Sequence, residues 1–144
     1  TAIVPGDTPR PELEAAHRRR FDRDLVSRSL PERFARQVAA ALQGRAPAEP
    51  AVDLTGLSGL ERKVLEELVK IPCGQVRQYG WIARRAGRPR AARAVGSFCA
   101  KNPVPFLVPC HRVVPASGGV GSYAFGPAMK RALLEREGVA VAAL

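Results

Sequence analysis

The sequence predicts an α+β protein, mostly helical, in which a helix-turn-helix precedes a short strand that delivers a cysteine. Three observations carry that expectation. Apolar residues recur at helical spacing in several stretches, each closed by glycine or proline. Two of the helical stretches are short and joined by a tight turn containing glycine, the arrangement of a helix-turn-helix. An apolar run of strand length, Val104 to Val108, is bracketed by prolines and leads directly into Cys110-His111-Arg112. The chain is expected to divide into residues 1–53, an amino-terminal subdomain with its linker, and residues 54–144, which hold the informative motifs.

The amino-terminal part is the plainer one. Pro5, Pro9 and Pro11 interrupt its beginning, and Glu12 to Asp24 is dense in charge. After Leu30-Pro31, the residues Phe34, Val38, Ala41 and Leu42 form a helical stripe that ends near Gly44. This predicts a small helical element packed on the later domain. Ala46 to Pro50 reads as a linker.

From Ser58 the signals sharpen. Ser58-Gly59-Leu60-Glu61 has the spacing of a capping box, with serine and glutamate each able to bond one free amide at a helix start. Leu60, Val64, Leu65 and Leu68 follow on one helical face, and the helix should end before Pro72. A turn at Cys73-Gly74 precedes a second helix, Tyr79 to Ala86, which Gly87 can close in the left-handed conformation. Pro89 suits a first-turn position and should open a third helix through Ala100.

That third helix would be the recognition helix. Arg88, Arg90 and Arg93 crowd its start, while Ala91, Ala92, Ala94 and Gly96 keep it slender. Small residues let a backbone approach a groove, and arginines can hold phosphates or enter a space left by a base. The competing reading is an ordinary surface helix packed through small residues.

Pro109 lacks a backbone donor, so strand pairing should stop there and leave Cys110 at an abrupt turn. A thiol attacks as thiolate and needs a base or a positive environment. Neighbouring side chains on an extended segment diverge, so His111 would reach Cys110 through a water. If Glu137 orients His111, the result is a nucleophile, base and orienter relay; the alternative is a buried thiol beside a structural histidine. Val114 to Gly121 is a loop, continued by Ser122 to Gly126, and a last helix runs from Pro127 to Glu137 with Gly138 as its cap. Glu135 and Glu137 fall at the negative end of that helix dipole, which calls for a cationic or hydrogen-bonding partner nearby.

Composition narrows the classes. With 23 Lys+Arg against 13 Asp+Glu, the formal net charge is +10 over 144 residues, most of it arginine. A polyanion is the first candidate partner, because displaced counterions favour its binding, and the clustering around Arg93 favours this over generic solvated charge. The longest apolar runs fall well short of the roughly 20 residues that span a bilayer, so no membrane partner is expected. The three cysteines form no CxxC pair and the two histidines lie far apart. Metal ligation and a disulfide framework are therefore not expected, and a reducing, cytoplasmic setting fits. No leader marks the chain for secretion, and its opening on Thr1 suggests trimming or a partial record.

The string Pro109-Cys110-His111-Arg112-Val113-Val114 resembles the active-site signature of the O6-alkylguanine-DNA alkyltransferases, the methylated-DNA-protein-cysteine methyltransferases. The resemblance extends upstream through Ile71-Pro72-Cys73-Gly74, Tyr79-Gly80, Arg88 to Gly96 and Asn102-Pro103-Val104-Pro105. Downstream it takes in Gly121 to Gly126 and Leu133 to Gly138. It covers roughly residues 54 to 138, and implies that 54–144 is a DNA-binding and active-site domain and that 1–53 is a reduced or truncated amino-terminal subdomain.

The resemblance implies a role for each matching residue. Cys110 would accept the alkyl group, His111 would act as the water-relayed base, and Glu137 would orient it. Tyr79 would help flip the nucleotide and protonate the departing guanine, and Arg93 would fill the vacated place in the duplex. Asn102 would be the hinge after the recognition helix and brace the thiol. Arg88, Arg90, Ala91, Ala92 and Gly96 would face DNA, in the minor groove. Pro105, Val113, Tyr123 and Ala124 would line the base pocket. The implied function is single-turnover repair of O6-alkylguanine, and of O4-alkylthymine, in double-stranded DNA by a monomer that needs no cofactor. Where relatives often carry an aromatic residue, this chain has Cys73, and Gln78 and Pro115 also depart from the pattern. Rival readings are a non-catalytic alkylated-DNA-binding protein, a helix-turn-helix regulator and a cysteine hydrolase. The first would replace Cys110, the second would not need Cys110, His111 and Glu137 together, and the third would have no use for the basic helix.

Overall fold

The computed structural model describes residues 10–22, 24, 29, 31–45, 57–102 and 104–144. The expected linker at 46–50, the boundary at 53/54, Pro5, Pro9, Leu30 and Pro103 lie outside the described residues.

Six α-helices and one two-stranded ladder make up the regular structure of these residues: α1 (Arg10–Phe21), α2 (Glu32–Leu42), α3 (Gly59–Val69), β1 (Arg77–Gln78), α4 (Tyr79–Arg85), α5 (Ala92–Ala100), β2 (Val113–Val114) and α6 (Gly126–Arg136). Short 3₁₀ turns cover Cys110–Arg112 and Val141–Ala143. The α+β, mainly helical class is the one expected. None of these helices is long and apolar enough to cross a membrane.

The start of α3 forms as its sequence dictates. Ser58 Oγ accepts from the Glu61 amide at 3.3 Å while the Glu61 carboxylate accepts from the Ser58 amide at 3.0 Å, so two amides that a helix start leaves free are bonded. Val64, Leu65 and Leu68 then turn inward. They meet Ile82, Ala83 and Ala86 of the second helical stretch and Val95 and Cys99 of α5, and the same core takes in Val104, Val108, Cys110 and Val113. The nucleophile candidate is thus part of the core that the helix-turn-helix creates. Glu67 ties α3 to α4 through Arg85 at 3.0 Å and also accepts from Lys70 at 2.6 Å.

The turn between α4 and α5 closes as expected at Gly87, whose φ is +76°. The Arg88 amide reaches back to Ala83 O at 2.8 Å, a helix-closing bond available once glycine takes the left-handed conformation. The start of α5 differs from the expectation. Arg88 to Ala91 is a separate turn, closed by Ala91 N–H to Arg88 O at 2.8 Å, and the helix begins at Ala92. Proline suits the second position of such a turn as well as a first helical turn, and here the turn prevails. Arg88 and Arg90 therefore stand on the turn before α5, and Arg93 on the helix itself.

The strand also lies elsewhere than predicted. The segment before Cys110 is not a strand; Val108 N–H returns to Val104 O at 3.0 Å, and Phe106 between them has φ +74°. A non-glycine residue in that region is strained, and it is held by burial and by ring packing on Phe125 at 5.3 Å. The strand comes immediately after the cysteine instead, where Val113 and Val114 pair in parallel with Arg77 and Gln78. Pro109 does end the preceding segment, and Cys110 opens a 3₁₀ turn, so the abrupt turn at the thiol is as expected.

The expected helix over Phe34 to Leu42 is α2, and it packs on the later domain. Its buried Ala41 meets Phe106 and Leu133, with Val38 and Leu42 alongside. The charged stretch before it, read only as dense in charge, contains α1.

Candidate active site

Asn102 organises the approach to the thiol. Its amide nitrogen donates to Val108 O at 2.9 Å and to Cys110 Sγ at 3.2 Å, while its side-chain oxygen accepts from the Val104 amide at 3.1 Å. One buried side chain therefore closes the strained turn and places a donor on the sulfur. The Cys110 thiol is 2% exposed. Burial pushes its pKa up, opposed by the Asn102 hydrogen bond and by the positive charge of Lys130, so the resting group is a thiol that must be deprotonated to react.

Behind the thiol stands a charged cluster. His111 is fully buried and its Nε2 lies 2.9 Å from Glu137 Oε1. An ionised carboxylate only accepts, so Nε2 carries the proton and Nδ1 presents its lone pair. That Nδ1 is buried and has no hydrogen-bond partner among the described residues. Burial lowers the His111 pKa, against the opposing influence of Glu137, which keeps the ring neutral and its Nδ1 free to accept a proton. No hydrogen bond joins His111 to Cys110 among the described residues.

Glu137 is the hub. Besides His111 it accepts from Arg112 Nε at 2.9 Å and Nη2 at 2.8 Å, and from the Gly74 amide at 3.3 Å. Burial alone would raise its pKa, but the bonds from His111 and Arg112 outweigh it and hold the carboxyl at about 2. The bidentate Arg112 pair is the partner that a glutamate at a helix C-terminus called for. Arg112 is itself 4% exposed and anchored by Nη1 to Ile71 O at 2.7 Å.

The remaining expected residues divide into two groups. Tyr79 packs on the core cluster that contains Cys110. Its ring lies 5.9 Å from Lys130 Nζ, and a β-carbon at Gly96 would stand 3.9 Å from it; burial pushes its pKa up to about 12. Pro105 and Val113 are fully buried. Tyr123 meets the His111 ring edge-on at 6.4 Å, and its buried hydroxyl has no partner among the described residues. Ala124 is exposed beside it. Arg88, Arg90 and Arg93 are exposed and, among the described residues, none pairs with a carboxylate; Ala91, Ala92 and Gly96 are partly covered.

Two residues were missed from the sequence. Arg112 belongs to the signature string with no role of its own there, although the acidic end of α6 points to such a partner. Lys130 is fully buried, donating to Val113 O at 2.6 Å and Ser122 O at 3.4 Å, so it ties the strand after the cysteine to the pocket loop. Its signal was spacing, because Lys130, Leu133, Leu134 and Glu137 share one helical face. No group of three or more His, Cys, Asp or Glu positioned to hold a metal ion occurs among the described residues.

Comparison with known proteins identifies the family. Residues 59–139 match the family model described as 6-O-methylguanine DNA methyltransferase, DNA binding domain. A methylated-DNA--protein-cysteine methyltransferase of Shigella flexneri is 48% identical over 84 residues, 58% of this chain and 49% of the relative. The chain thus spans about half the length of that curated relative. The solved Mycobacterium tuberculosis OGT in complex with DNA matches with a TM-score of 0.64 at 43% identity, covering 73% of this chain and 64% of that one. The O6-methylguanine-DNA methyltransferase of Pyrococcus kodakaraensis gives a TM-score of 0.74 at 32% identity, covering 90% and 78%.

Proposed function

This chain belongs to the 6-O-methylguanine DNA methyltransferase family, and on that footing we propose that it repairs double-stranded DNA by moving the alkyl group of O6-alkylguanine, and of O4-alkylthymine, onto Cys110. The observation that carries the reading is the pairing of a braced thiol with a base of defined tautomer. Asn102 donates to Sγ, and Glu137 holds His111 with its basic Nδ1 unpartnered among the described residues. A lesion-binding protein without chemistry has no need of either.

The reaction follows from these groups. The damaged nucleotide leaves the stack, at a cost of a few kcal/mol, and its base enters the pocket formed by Pro105, Val113, Tyr123 and Ala124. His111 Nδ1 takes the thiol proton through a bridging water, and Asn102 and the Lys130 charge stabilise the sulfur anion. Sγ attacks the sp3 carbon, the carbon–O6 bond breaks, and guanine leaves with its electron pair. Tyr79, kept as a neutral phenol by its raised pKa, supplies the proton that guanine needs and recovers one from the relay. In the balance, the thiol proton ends on guanine and a thioether remains. That product offers no carbonyl for water to attack, so one chain acts once.

The +10 net charge and the exposed Arg88, Arg90 and Arg93 support binding to DNA through α5 and the turn before it. The slender face around Ala91, Ala92 and Gly96 suits the minor groove, and Arg93 occupies the space the flipped base leaves. The protein works as a monomer in the cytoplasm, with residues 1–53 as its smaller subdomain. The test compares two substrates: Arg93→Ala slows transfer from an O6-methylguanine duplex by about a hundredfold, the cost of losing a positioning contact, and leaves the reaction with free O6-methylguanine base unchanged. Equal loss on both would remove Arg93 from the DNA interface, and a wild-type chain that reacts with neither substrate would overturn the reading.

A further inference from the structure

Cys73 plays no part in the chemistry above, yet it adjoins the hub of the site. Its thiol donates to Gly44 O at 3.0 Å, linking the turn before β1 to the end of α2. Gly44 has φ +73°, and a β-carbon there would lie 2.4 Å from Arg136 O and 3.1 Å from the Glu137 amide nitrogen. The approach is close because glycine closes α2, with Arg45 N–H reaching Ala40 O at 2.9 Å. Arg136 Nη1 returns the contact, donating to Leu42 O at 2.7 Å. From the other side, Gly74 has φ +77° and a β-carbon there would lie 2.9 Å from Glu137 O. The residue that orients His111 is therefore clamped at its backbone by two glycine turns, one of which belongs to the amino-terminal part.

We propose that Gly44 and Cys73 are positioning residues for the relay: the end of α2, locked by the Cys73 thiol, holds the last turn of α6 where Glu137 can orient His111. The amino-terminal helix is then a part of the active site's frame. This inference rests on the proposed alkyl transfer.

A shift of Glu137 alters the proton affinity of His111, since that carboxylate raises it while burial, Arg112 and Lys130 lower it. The other ionisable groups facing the pair are Cys73, on the Glu137 side, and Tyr123, edge-on to the His111 ring. Free O6-methylguanine base serves as the probe, because it bypasses DNA binding and base flipping. Gly44→Ala should react on the order of tenfold more slowly, with the midpoint of its pH–rate profile displaced downward and its affinity for a lesion duplex unchanged. Cys73→Ala, which introduces no clash, should show a smaller change of the same sign, and Cys73→Ser, which keeps a donor for Gly44 O, should restore the wild-type midpoint. Wild-type rate and midpoint in both Gly44→Ala and Cys73→Ala would overturn the inference, as would slowing without a shift in midpoint. Should Gly44→Ala fail to fold, the two Cys73 variants decide alone. A wild-type chain that forms no adduct would overturn the underlying reading first, which separates the two failures.

Discussion

Glu137→Gln should be the most damaging single change short of removing the nucleophile. The amide keeps the shape of the side chain but loses the charge that Arg112 and His111 both use. It can also donate to Nε2, so the tautomer with Nδ1 free is no longer enforced. Alkyl transfer should fall by about 10²- to 10⁴-fold, the range ascribed to a positioned general base. Stability should fall as well, by about 3–5 kcal/mol, because the variant leaves a buried guanidinium without its counter-charge. Urea unfolding of the two proteins at pH 7 measures that loss.

The acid dependence of this loss has a definite sign. The folded-state pKa of Glu137 is depressed from 4.5 to about 2. Its contribution is therefore fully present above about 4.5 and disappears as pH falls through about 2, and the shift corresponds to about 3 kcal/mol. The gap in stability between wild type and Glu137→Gln should close over that window. His111 adds a second window, since its folded pKa is lowered from 6.5 by burial. The unfolded chain takes up that proton first, so both proteins should begin to lose stability below about pH 6.5. A gap that stays constant down to pH 2 would mean that Glu137 is not the charged hub described.

Asn102→Ala should come next in size. It removes donors from Val108 O and Cys110 Sγ and an acceptor from the Val104 amide, all buried. Leaving such groups unsatisfied costs about 1–3 kcal/mol each before relaxation, and the turn loses the clamp that holds Phe106 at φ +74°. The rate with free O6-methylguanine base should fall about a hundredfold, as when one donor to a developing anion is removed. An unchanged rate in a folded Asn102→Ala protein would show that the sulfur does not depend on this donor.

Much of this site could be read from residue order alone because its parts lie in punctuated segments. Ser58 and Glu61 specify the start of α3, Gly87 specifies the turn of the helix-turn-helix, and Pro109 forces the bend at Cys110. The pairing of His111 with Glu137 was legible through the resemblance and through the misplaced acid at the end of α6. The strand was put on the wrong side of the cysteine, because an apolar run of strand length carries no sign that Asn102 will fold it into a turn around Phe106. Arg90 is expected inside the helix, with Arg88 just before it, because proline serves a turn as well as it serves a first helical turn. Lys130 escaped notice because a lysine is expected at the surface, and only the apolar leucines sharing its face reveal that it is buried. The clamp at Gly44 depends on contacts across 93 residues between Gly44 and Glu137, which local patterns do not encode.

The central claim is that Cys110 takes the alkyl group, and intact mass after incubation with a duplex carrying a single O6-methylguanine measures it directly. The wild-type chain should gain the mass of one methyl group, mapped to Cys110, with one adduct per chain however long the incubation, while Cys110→Ser gains none. Tight binding of that duplex by the wild-type chain with no change in mass would contradict the claim and make this a protein that recognises the lesion without removing it.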